Sequence, residues 1–245
     1  GHDAHRAAGV EGGARLMPAA VYAYTSPVAG AASGPSSVTA SLPTGSVAGD
    51  LCFLHFAGRG STTGSQALTV PSGWTAIGTP EVGGFSTTII VDAVWWKVLT
   101  AGDISTGTVT VSYGAAYTGP AYPYVGLFTV RPRTPFAGAA GQTHGTSPTP
   151  PDPAPTTSAL VFSSKAVAGG AAGADTDNGF ASVYAVNGGS GAPVAISVYA
   201  KEVPAGAVTM LVWSGIAATH SWAVRLTPGG WRLGKLGIGS RGGFS

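Results

Sequence analysis

The fold this sequence predicts is an all-β, antiparallel two-sheet β-sandwich, jelly-roll-like, with extended N- and C-terminal arms. Three observations carry that expectation. From Val21 onward, short runs rich in Val, Ile, Thr and aromatics recur, each bounded by Gly, Pro or Ser. Residues 106–112 (TGTVTVS) alternate Thr and Val, the period of two of a half-buried strand. No segment keeps helical periodicity for three turns, and 39 Gly and 18 Pro recur too often for a long helix. About twelve strands then imply two sheets, since each antiparallel sheet must bury one face.

The elements follow in order. Residues 1–20 are Gly/Ala-rich without periodicity and read as an N-terminal arm. The first strand is expected over 37–41 and the second, nearly all apolar and therefore central, over 50–57 after a Gly49-Asp50 turn. Strands at 67–70 and, beyond the Pro71-Ser72-Gly73 turn, at 74–79 come next. Residues 86–99 form the longest strand, on which the adjacent Trp95 and Trp96 must point to opposite faces. Residues 106–112 and 124–131 complete the first set. Residues 132–156 hold seven of the eighteen prolines, which cannot donate to a ladder, so an extended crossover is expected there. Strands over 158–168, 180–186, 194–203, 208–213 and 221–226 follow, and 228–245 returns to Gly-rich sequence as a second arm. The organisation is thus an arm (1–20), one sandwich (21–227) with its Pro-rich crossover, and an arm (228–245). No internal repeat between the two halves is legible.

Composition narrows the function. Only 9% of residues are charged, against about 25% in an average soluble protein. Such a chain suits faces covered by neighbours, because few charges need desolvation on assembly. A net charge of +2 without a basic run argues against nucleic acid as a partner. No apolar stretch nears the roughly 18 residues of a bilayer span, so membrane insertion is not expected. The N-terminus lacks a signal-peptide core, and its missing Met reads equally as processing or as trimming; synthesis in a bacterial cytoplasm is expected. The sole cysteine, Cys52, lies in an apolar run and reads as a buried, inert thiol.

Chemistry-bearing motifs are sparse. His2, His5, His55, His144 and His220 are scattered without the close pairs of a zinc site, and His55 reads as a satisfied core residue. Asp175-Thr176-Asp177-Asn178-Gly179 opens like a calcium loop but lacks its later Glu, and reads as a tight turn closed by Asx hydrogen bonds. The GxGxxG match at 237–242 has no room for the helix that would meet a phosphate. No GxSxG elbow occurs, and nothing places a carboxylate pair such as Asp92 and Glu202 together for glycoside hydrolysis. Hence no catalytic, cofactor or metal residue is assigned. The remaining candidates are Tyr113, Tyr117, Tyr122 and Tyr124, clustered about a Gly/Pro-rich turn, where exposed aromatics stack on sugar rings or anchor an interface.

A family resemblance joins several of these motifs. Gly49-Asp50-Leu51, Pro71-Ser72-Gly73-Trp74-Thr75, Trp96-Lys97-Val98 with Ala101-Gly102-Asp103, and the Trp-containing strand Ser221-Trp222-Ala223-Val224 lie in that order. The series, over residues 36–227, resembles the β-sandwich minor tail, fibre, spike and head-decoration proteins of tailed phages and related gene-transfer particles. It departs from the pattern at Arg131-Pro132-Arg133, where a Gly-containing turn is expected. The resemblance implies a virion protein without catalytic residues, partnered by its own copies, by other virion proteins and by a host-surface glycan. The competing expectations are a carbohydrate-binding module and a small hydrolase.

Overall fold

The structure is a computed structural model and describes residues 21–30, 36–61, 68–70, 72–78, 81–85, 88–113, 123–131, 140–146, 148–168, 174–187, 194–213 and 215–225. The two arms, the 237–242 glycine motif, Tyr117 and Tyr122 lie outside these residues.

The protein is all-β. Its first half gives β1 (Val21–Ala29), β2 (Ser36–Ser41), β3 (Leu51–Ser61), β4 (Leu68–Thr69), β5 (Thr75–Ala76), β6 (Glu81–Phe85), β7 (Thr88–Val98), the short helix α1 (Ala101–Thr106), β8 (Thr108–Tyr113) and β9 (Tyr124–Val130). Its second half gives β10 (Ala140–Thr146), β11 (Ala159–Ala168), β12 (Ala174–Thr176), β13 (Ala181–Val186), β14 (Val194–Val203), β15 (Val212–Trp213) and β16 (Ile216–Arg225). β10 falls inside the expected crossover: its seven residues are free of proline, whereas prolines flank it on both sides. It pairs with β16 along its whole length.

Two large antiparallel sheets form the central sandwich. The first has the order β1-β9-β3-β7-β5, with β6 also on β7; the second has the order β10-β16-β11-β14-β13. Each is then covered on its outer face by a small sheet, β2-β8-β4 over the first and β12-β15 over the second. Four layers result, and the inner strands β9, β3, β16 and β11, with most of β7 and β14, are buried on both faces. That is why β3 and β7 read as continuous apolar runs rather than as alternation. Along β3, Leu51, Phe53 and Ala57 enter the central core while Cys52, Leu54 and Phe56 enter the outer one. Trp95 and Trp96 likewise face opposite ways, Trp95 outward and Trp96 against the central core. By contrast, β8 caps the first large sheet from outside and alternates exposed Thr with buried Val.

Local devices set the strand ends. Gly73 has φ +85°, a left-handed turn that brings Trp74 onto the outer core. Thr100 caps α1: its hydroxyl accepts from the Asp103 amide, and the Asp103 carboxylate accepts from the Thr100 amide at 2.8 Å. Burial opposes ionisation of Asp103, but hydrogen bonds from Lys97 (2.6 Å) and Thr100 prevail and hold its carboxyl below the usual range. At the start of β3, Asp50 is fully buried and takes Arg131 in a two-pronged pair, Nε at 2.5 Å and Nη2 at 2.7 Å. The same guanidinium donates to the Gly45 carbonyl, and the Val47 amide donates to Asp50. Arg131 thus fastens the end of β9 to the turn that precedes β3.

Cys52 is sealed in the outer core; burial, with Asp50 and Asp103 nearby, pushes its thiol far above the ordinary range. The native protein is expected to resist alkylation by iodoacetamide at pH 8, with modification appearing only in denaturant. Mass spectrometry of the treated chain checks this.

Candidate functional site

Four strands from the two large sheets bring together the densest polar group among the described residues. β7 contributes Asp92, β3 contributes His55, β11 contributes Ser164 and β16 contributes His220, and all four side chains are wholly buried. Each stands among apolar neighbours on the face its strand turns to the central core, Phe53 and Ala57 beside His55, Phe162 and Ala166 beside Ser164, and Ala218 and Trp222 beside His220. His55 opposes Gly126 in the ladder of β3 and β9, and Ser164 opposes His220 in that of β11 and β16. The sequence therefore places one polar tooth on the inward face of each strand, and stacking of the sheets makes the teeth meet.

Asp92 is the hub. Its Oδ1 accepts from Nε2 of His55, and its Oδ2 accepts from Nδ1 of His220 at 2.9 Å and from the Ser164 hydroxyl at 2.6 Å. Burial by itself would raise the Asp92 pKa. The His55 charge and hydrogen bonds from both histidines outweigh that effect and hold the carboxyl far below the usual range. An ionised carboxylate only accepts, so both ring nitrogens that touch it must carry protons, which fixes both tautomers. The other His55 nitrogen, Nδ1, lies 3.1 Å from the Tyr184 hydroxyl. Burial and the Asp92 charge both keep Tyr184 protonated, pushing its pKa well up.

Room for Tyr184 comes from a glycine. A Cβ on Gly126 would lie 2.6 Å from the Tyr184 hydroxyl and 2.7 Å from its Cζ. Gly126→Ala is therefore expected to push Tyr184 off His55 and destabilise the fold by about 1–3 kcal/mol. Thermal denaturation of the variant measures this.

The group resembles catalytic machinery in composition only. A nucleophile, base and acid need a place where substrate can lie against them, and each of these groups is shut between two sheets. What the arrangement does is tie the sheets: His55 and Asp92 belong to the first, Ser164, His220 and Tyr184 to the second.

The other sequence candidates separate. Tyr113 is a core residue, 3% exposed, facing Phe56 with ring centroids 6.2 Å apart. Tyr124 is half-buried against the central core, on the other side of the same sheet. Asp92 is sealed whereas Glu202 is exposed on β14, so they do not form a carboxylate pair across a cleft. In the Asp177 turn, the Gly179 amide donates to the Asp177 carboxylate at 3.1 Å, with Asn178 at φ +47° and Gly179 at φ +81°. No group of three or more potential metal-ligating side chains occurs among the described residues, and no helix there is long and apolar enough to cross a membrane.

Sequence reasoning gave His55 a core role but missed its partners. The available signal was clear only for His55 in LCFLHFA and Asp92 in IIVDAVW, each the one polar residue of an apolar run; Ser164 in LVFSSKA and His220 in ATHSWAV stand among other polar residues. No protein-family model matches the chain, and no curated protein or solved structure matches it.

Proposed function

We propose that this chain is a non-enzymatic structural subunit on the surface of a tailed-phage-like particle, of fibre, spike, head-decoration or minor tail type. The observation that carries this reading is the sealed tie at Asp92. Among the described residues, His55, Asp92, Ser164 and His220 are spent on holding two sheets together, which suits a protein selected for rigidity. Four stacked layers and a charge content of 9% fit a brick whose faces meet other subunits. The motif series from Gly49 to Val224 is the further support. Its partners on this reading are its own copies and neighbouring virion proteins, with a host-surface glycan as an attachment target.

The test is to purify nuclease-resistant particles on a density gradient and probe them for this chain by mass spectrometry and immunogold labelling. Stoichiometric recovery in the particle band, with label on the surface, is the expected result. Recovery solely in the free protein fraction would overturn it. A carbohydrate-binding module is the competing reading. It draws on the four tyrosines, but Tyr113 belongs to the core, which leaves that reading with less support.

A further inference from the structure

The two halves of the chain are built alike, strand by strand. In the first large sheet, β1 and β3 flank the half's last strand, β9, and β7 follows β3; in the second, β10 and β11 flank β16, and β14 follows β11. The strand pair β5 and β6 on β7 corresponds to β13 on β14. The covering pair β4 with β8 corresponds to β12 with β15, each contributed from the same points in the order of its half. Among the described residues, β2 alone has no strand counterpart, because its place is taken by the Pro-rich stretch before β11. Even there the Trp213 amide donates to the Pro148 carbonyl, as β8 pairs with β2.

The registers agree residue by residue. Leu51 opposes Val130 and Phe53 opposes Phe128, as Leu160 opposes Val224 and Phe162 opposes Trp222. Phe53 opposes Trp96, as Phe162 opposes Ala200. This register aligns Lys97-Val98-Leu99-Thr100-Ala101-Gly102 with Lys201-Glu202-Val203-Pro204-Ala205-Gly206 without a gap. It also aligns Gly73-Trp74 with Gly179-Phe180, both glycines left-handed at φ +85° and +81°. The end of Lys97 runs beside Gly73 as that of Lys201 runs beside Gly179.

The halves also meet symmetrically. β1 lies over β13, and β10 lies over β6, the exchanged pair. Four rings fill the centre: Phe53 to Phe128 is 5.0 Å and Phe162 to Trp222 is 5.3 Å, while Phe53 to Trp222 is 5.6 Å and Phe128 to Phe162 is 5.2 Å. Each distance is matched by its equivalent under a twofold rotation, which is the signature of an isologous contact.

We propose that residues 21–131 and 140–225 are two copies of one duplicated β-module, and that the large-sheet face of that module is a self-recognition surface whose partner is the other copy. The chain is then a covalently joined pseudo-dimer, and its remaining contacts are made through outer layers and edges.

Two measurements on the full chain test this. First, a protease site placed within 132–139 and cut in the folded protein should leave both fragments eluting together at the mass of the uncut chain. Separation into two folded monomers without denaturant would overturn the self-recognition surface. Second, Phe128 and Trp222 occupy equivalent positions, so exchanging them regenerates the same ring quartet turned about its axis. Phe128→Trp and Trp222→Phe should each lower Tm by about 5 °C or more, by overpacking and by a void respectively. The double exchange should return Tm to within about 2 °C of the parent. A double variant that loses the sum of the two single effects would overturn the equivalence of the halves.

Discussion

Asp92→Ala is expected to cost on the order of 3–5 kcal/mol of folding stability. The reason is the number of groups it would strand. His55, His220 and Ser164 each turn a donor toward this one carboxylate, and none is in contact with solvent. Water cannot replace the lost acceptor without entering the central core, so each donor would bear its desolvation penalty. Asp92→Asn keeps the volume but replaces one accepting oxygen with a donating nitrogen that faces a proton-bearing partner; a loss of similar sign and smaller size is expected. Urea denaturation at pH 7 measures both.

The same carboxylate sets a pH dependence. Its folded pKa lies far below its unfolded value of about 3.9. Asp92 therefore contributes its full stabilisation above about pH 4–5, and that contribution is lost as pH falls toward the folded value. The difference in stability between the parent and Asp92→Asn should be largest near neutrality and shrink below about pH 4. A difference that stays constant down to pH 2 would contradict an ionised hub.

Arg131→Ala is expected to cost about 2–4 kcal/mol, because it leaves the fully buried Asp50 carboxylate without its cation. Arg131→Lys should recover only part of the loss. A point-like ammonium cannot make the two-pronged contact at 2.5 and 2.7 Å and also reach the Gly45 carbonyl. Chemical denaturation of the three proteins separates these outcomes. The structure gives Arg131 a local purpose: a salt bridge closes the end of β9 onto Asp50.

Much of this architecture is local and therefore legible from the chain. Residues 194–203 are the strand expected from their Val, Ile and Tyr content, and the Thr/Val alternation of β8 reports one exposed face. Asp177-Asn178-Gly179 forms the expected turn because its bonds reach only two residues along the chain. Weaker segments escape such reading. The sequences EVGGF and AGQTHGT carry little β propensity, and they are strands because β7 and β16 offer them a ladder.

What the sequence alone determined is the class: short strands, Gly and Pro turns, low charge and a buried lone thiol, each written in neighbouring residues. What only the tertiary structure decided is how these strands are spent. Asp92 meets His220 across 128 positions and Ser164 across 72, a meeting that no local pattern encodes. The likeness of the halves was hidden for the same physical reason. A sheet buried on both faces demands apolar bulk and register, not particular letters, so equivalent positions drifted to Phe128 and Trp222 or His55 and Ser164 while the ladder that aligns them stayed in place.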